Sequence, residues 1–88
     1  MNLDYKLVLD EQALSTLLAC RSAERLNLLQ SLQSLKRDPL QKGDYIERDD
    51  TGHDIQVKVF GHYLLSYWLD GPVSELRVVD IERIRPKA

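Results

Sequence analysis

Three turn signals divide the second half of this chain: Asp49-Asp50-Thr51-Gly52, Gly61-His62 and Asp70-Gly71-Pro72. The runs between them read as strands, and connections this short predict an antiparallel meander. Ile55, Val57 and Val59 alternate with Gln56, Lys58 and Phe60, the pattern of a half-buried strand. Tyr63-Leu64-Leu65-Ser66-Tyr67-Trp68-Leu69 is apolar and aromatic on both faces, as suits a central strand. Glu75 to Ile81 supplies the last strand through Leu76, Val78, Val79 and Ile81, and Tyr45-Ile46-Glu47-Arg48 a shorter one after the Lys42-Gly43-Asp44 turn.

The first half is mostly helical. Leu3, Tyr5, Leu7 and Leu9 alternate as one strand. Asp10 can cap a helix, with Glu11 favourable in its first turn, and Ala13, Leu14, Leu17 and Leu18 then fall at helical spacing as far as Cys20-Arg21. Ser22 can cap a second helix, in which Leu26, Leu29 and Leu32, with Leu28 and Leu35, line one side. Asp38-Pro39 stops it, because proline disfavours helical backbone in the residue before it. The order is β-α-α-β-β-β-β, an α+β protein with a single domain over residues 1–88. Its helical hairpin must bury a leucine face against one side of the sheet. The other sheet face is left open, which is where a functional surface is expected.

Composition narrows the function. With 43 % apolar and 30 % charged residues, the 88-residue chain reads as an ordinary globular protein. Its apolar runs fall far short of the roughly 20 residues that span a bilayer. No basic stretch followed by an apolar one marks a signal peptide near Met1, so the expected compartment is the cytoplasm. The lone Cys20 cannot form an internal disulfide and reads as a plain buried or half-buried thiol; no Cys/His cluster has metal-ligand spacing, and no cofactor is implied. His53 and His62 follow turn residues and are expected to be exposed, whereas Tyr63 and Tyr67 are expected in the core. A net charge of −2 and a pI near 5.6 count against a broad electrostatic grip on nucleic acid. The most basic stretch is the tail, Arg83, Arg85 and Lys87.

Three stretches carry a family resemblance. Leu32-Gln33-Ser34-Leu35-Lys36-Arg37-Asp38-Pro39-Leu40 is a leucine-spaced helix ending before a proline. Val57 to Asp70 is a hairpin with basic-apolar alternation, a Gly-x-Tyr at Gly61-His62-Tyr63, and a second tyrosine, Tyr67, four residues on. Val78-Val79-Asp80-Ile81 forms the closing strand. In these stretches, and in element order over nearly its whole length, the chain resembles the RelE/ParE toxins of type II toxin–antitoxin systems. The resemblance implies a toxin neutralised by an antitoxin segment that wraps its surface. It implies one of two targets: the ribosome, where RelE-like members cleave mRNA, or DNA gyrase, which ParE-like members inhibit.

Cleavage of RNA through the 2′-OH needs a base, a cation for the crowded phosphate and an acid for the leaving oxygen. The resemblance implies Lys58 as a middle-strand cation, with Arg83 or Arg85 to steady a phosphate; the plain alternative for Lys58 is a solvated residue on a polar sheet face. Two departures weaken that chemistry. An arginine commonly follows the tyrosine matching Tyr63 in the nucleases, and here Leu64 does. Nor does a His or Tyr follow the last strand, where the chain runs Glu82-Arg83-Ile84-Arg85-Pro86-Lys87-Ala88. Both departures suit a ParE-like or catalytically silent toxin better. The alternatives are a metal-independent, ribosome-dependent endoribonuclease and a non-toxic binding module with the same fold. Trp68 points away from Tyr67. With Tyr67 on the helices, Trp68 falls on the open face beside Leu64, with Ile81 across the sheet. An exposed apolar strip marks a partner site, so Leu64 and Trp68 are expected to contact an antitoxin or a second copy of the chain.

Overall fold

A computed structural model describes residues 4–84. The elements are β1 (Lys6–Leu9), α1 (Glu11–Ala19), α2 (Ser22–Arg37), β2 (Tyr45–Arg48), β3 (Asp54–Phe60), β4 (Tyr63–Asp70), a 3-10 turn (Gly71–Val73) and β5 (Glu75–Arg83). The strands form one sheet in the order β1-β5-β4-β3-β2. β2 to β5 are the antiparallel meander that the turn spacing predicts, and β1 adds to β5 in parallel. A parallel neighbour requires a crossover connection, which the helical hairpin supplies.

The helices cover one sheet face. Ala13 and Leu17 of α1 and Leu28, Leu32 and Leu35 of α2 pack with Tyr63, Leu65, Tyr67, Leu76, Val78 and Ile81. The stripe on α2 is thus 28-32-35. Leu26, 58 % exposed, and Leu29, 40 % exposed, face outward, contrary to the side expected from sequence. Leu14 and Leu18 of α1 are exposed in the same way. α2 carries leucines at 26, 28, 29, 32 and 35, enough for two helical stripes, and only the packing selects between them.

Side chains finish what the backbone leaves open. Arg25 donates to the carbonyls of Leu17, Leu18 and Cys20, supplying donors where α1 ends and its carbonyls lose the amides of a further turn. Beyond the end of β1, α1 covers the edge of β5: Thr16 Oγ1 donates to the Ile81 carbonyl at 2.9 Å, and the Ile81 N–H donates to Gln12 Oε1 at 3.2 Å. Asp10 precedes α1 but makes no side-chain cap; its carboxylate lies 3.5 Å from Arg77. Ser22 is the first residue of α2 rather than its cap, a position held by Arg21.

Two glycines are required by geometry. Gly61, at φ +59°, opens the two-residue turn that sets Phe60 opposite Tyr63. Gly43 passes so close to β3 that a Cβ there would lie 2.6 Å from the Val57 carbonyl oxygen. This approach lets the Gly43 N–H bond Gln56 Oε1 and the Asp44 N–H bond the Val57 carbonyl.

Candidate functional site: the open sheet face

Register decides which side chains share the open face. Residues opposite one another in a sheet project from the same side, and successive residues alternate. Tyr63, Leu65 and Tyr67 face the helices, so Leu64, Ser66, Trp68 and Asp70 face away. Across β4 these meet Glu82, Asp80, Arg77 and Glu75 of β5 on one side, and Val59 and Val57 of β3 on the other. Beyond β3 lie Tyr45, opposite Val57, and Glu47, opposite Ile55. Leu64 and Trp68 are therefore on the face expected for them. Ile81 is not: it pairs with Leu65 and is fully buried beneath the helices. An irregularity in the β4–β5 ladder at Ser66/Tyr67 leaves Val79 without a partner and shifts the alternation of β5, so that Leu76, Val78 and Ile81 all point inward.

This face has its own apolar patch. Ile55 and Val57 are buried but stand apart from the helix-side core. Leu64 and Trp68 are half-buried, and Val59 and Tyr45 are exposed. His53 lies flat on the Trp68 indole, with ring centroids 4.2 Å apart and planes 13° from parallel. The turn before β3 holds it there. Asp49 Oδ1 accepts from the Thr51 N–H, the Thr51 hydroxyl and the His53 N–H, and Oδ2 lies 3.3 Å from His53 Nδ1. Those bonds, led by the one from the Thr51 hydroxyl, hold the Asp49 carboxyl down at about 2. His53 was expected as an exposed turn residue and is one, but its stacking on Trp68 was invisible in the sequence.

The charge of this face is acidic. Among the described residues, the register places Glu47, Asp70, Glu75, Asp80 and Glu82 on it, five carboxylates, against two cations, Lys6 and Arg77. Arg77 is already shared by Glu75 at 3.1 Å, Asp10 at 3.5 Å and Asp70 at 4.0 Å. Asp80 is pushed above the usual carboxylate range, first by burial and then by the charges of Glu82 and Glu47.

The candidate cations lie on the opposite side of the sheet. Lys58 pairs with Leu65 and so projects to the helix side, where its ammonium donates to Gln41 Oε1 at 2.6 Å and sits 5.4 Å from the Phe60 ring centroid. The Tyr67 hydroxyl donates to the backbone carbonyl of the same Gln41, and burial pushes that phenol up to about 12. Arg83 pairs with Tyr63 and meets Glu24 of α2 at 3.4 Å. Lys58 and Arg83 are two strands apart, and neither shares a face with Leu64 and Trp68. Arg85 lies outside the described residues.

Glu24 also accepts from the Tyr63 hydroxyl at 2.8 Å, which in turn lies 3.3 Å from Cys20 Sγ. The hydrogen bond with Cys20, burial and the Glu24 carboxylate all raise the Tyr63 phenol well above its ordinary value. Cys20 is half-buried and also donates to the Thr16 carbonyl at 3.2 Å, as a structural thiol does. Among the described residues, no group of three or more His, Cys, Asp or Glu side chains is placed to hold a metal ion. No described helix is long and apolar enough to cross a membrane.

The fold matches those of solved toxin–antitoxin complexes. A chain of the archaeal RelE–RelB complex from Pyrococcus horikoshii OT3 is 13 % identical, with a TM-score of 0.69 over 91 % of this chain and 94 % of that one. A chain of the RelBE2 toxin–antitoxin complex from Mycobacterium tuberculosis is 17 % identical, with a TM-score of 0.73 over 91 % and 98 %. A chain of the intact RelBE toxin–antitoxin complex from E. coli is 20 % identical, with a TM-score of 0.59 over 93 % and 99 %. The chain thus shares its fold with chains of these toxin–antitoxin complexes, the fold that the sequence resemblance implied. No family profile and no curated protein matches the sequence itself.

Proposed function

We propose that this chain is the toxin of a type II toxin–antitoxin pair, that it stops growth by binding a macromolecular target in the cytoplasm, and that an antitoxin segment neutralises it. Support for the toxin role comes from the fold and from the neighbours, whose solved complexes pair toxin with antitoxin. The observation that carries the non-nuclease reading is the character of the open face. A phosphodiester needs cations where its charge concentrates. Leu64 stands where the nucleases commonly have arginine, beside Val59 and opposite Glu82. A polyanion brought there would meet five carboxylates and an Arg77 already engaged by three of their kind. This reading favours the ParE-like branch.

The competing endoribonuclease reading rests on Lys58, Arg83 and Arg85. Growth of cells producing single-residue variants without a partner separates the two. Lys58→Ala is expected to remain toxic, because the ammonium is bound to Gln41 away from the open face. In cells that also make the antitoxin, Trp68→Ala is expected to weaken neutralisation while leaving the protein folded. Loss of toxicity in folded Lys58→Ala would favour the nuclease.

A further inference from the structure

We infer that the segment covering the open face is a cationic amphipathic helix, whose apolar stripe seats on Leu64, Val57 and Trp68 and whose lysines or arginines reach Glu82 and Glu47 on either side. The inference rests on the reading of this face as a partner site and adds the chemistry of the partner.

The arrangement of the face supports it. The apolar patch lies over β3 and β4, the two strands in the middle of the acidic surface. Glu82 and Asp80 of β5 border it on one side and Glu47 of β2 on the other, so carboxylates flank an apolar strip. The complement of such a surface is an apolar stripe edged with positive charge. Crowding of the acids points the same way: burial first, and then the charges of Glu82 and Glu47, raise the Asp80 carboxyl, and a nearby cation would relieve the repulsion among the three. An extended segment laid on a sheet face would leave its own backbone N–H and C=O groups unpaired, whereas a helix satisfies them internally. β4 has eight residues, so at about 3.3 Å each the strand that carries the strip is about 26 Å long. A helix of about 17 residues covers that length at 1.5 Å per residue. A second copy of this chain is a poor occupant, because it would set acidic face against acidic face.

The probe is a pair of synthetic peptides of about 17 residues that share one leucine stripe, with polar positions all lysine in one and all glutamate in the other. Trp68 is the only tryptophan and reports binding by its fluorescence. The lysine peptide is expected to bind at least about tenfold more tightly than the glutamate peptide, with the difference shrinking as salt rises. The exposed-site double variant Glu47→Lys/Glu82→Lys should reverse the preference. Leu64→Ser should weaken the lysine peptide by about tenfold or more, read by calorimetry in protein confirmed as folded. Equal binding of both peptides, an unchanged preference in the double variant, or no loss on Leu64→Ser would overturn the inference. Self-association of the wild-type chain that Leu64→Ser abolishes would instead assign the face to a second copy. Toxicity is scored separately by growth. Peptide binding without toxicity keeps this inference and removes the toxin reading, and toxicity with preference for the glutamate peptide does the reverse.

Discussion

Asp80 is the residue at which the acidity of the open face can be measured. Its folded-state pKa is raised, by burial first and then by Glu82 and Glu47. A raised carboxyl contributes stability that is present below the unfolded value of about 3.9 and is lost as pH rises through the folded value. Asp80→Asn should therefore unfold at a higher temperature than wild type at pH 7, with the advantage gone at pH 3. Equal melting temperatures at both would contradict a carboxyl raised by burial and by its acidic neighbours. Asp49 has the opposite sign. Its pKa is lowered to about 2, so its bonds to Thr51 and His53 hold above the usual carboxylate range and are lost as pH falls through about 2. Asp49→Ala should release His53 from the indole and shift Trp68 emission to the red at neutral pH. An unchanged spectrum would mean that the stack stands without the turn.

At the scale of elements, the choice between leucine stripes on α2 has a simple test. Leu32→Ala removes a side chain that is 1 % exposed and should cost about 2–5 kcal/mol. Leu26→Ala removes one that is 58 % exposed and should stay within about 0.5 kcal/mol. Chemical denaturation of both variants decides it; similar losses would mean that both stripes are packed. The order of elements, the helix ends and the meander were all legible, because turn residues and spacing are local. Which leucines α2 buries was not, since two stripes overlap within one helix. The side that Lys58 faces could have been read: Gly61-His62 is a two-residue turn, so Lys58 must oppose Leu65, which alternation puts on the same side as Tyr63 and Tyr67, the two residues expected in the core. The direction of Ile81 could not, because it depends on a ladder irregularity near Val79 that no residue pattern announces. The His53–Trp68 stack is likewise tertiary, joining a turn to a strand 15 positions further on.

Over the whole molecule, the sheet separates two kinds of chemistry. Lys58 and Arg83 lie on the helix side, each held by a partner from the loop or helix above it. The open side presents an apolar strip between carboxylates, a surface suited to a protein segment and hostile to a phosphate chain. The central claim is that a fold shared with the RelE toxins here acts by binding rather than by cutting RNA. The most direct measurement is pulse labelling of protein and DNA in bacterial cells induced to make the chain without a partner, with transcript integrity followed in parallel. The account predicts that growth stops while transcripts stay intact, and that DNA labelling fails before protein labelling. An immediate halt in protein labelling with fragmented mRNA would contradict it, and so would undisturbed growth with folded protein accumulating.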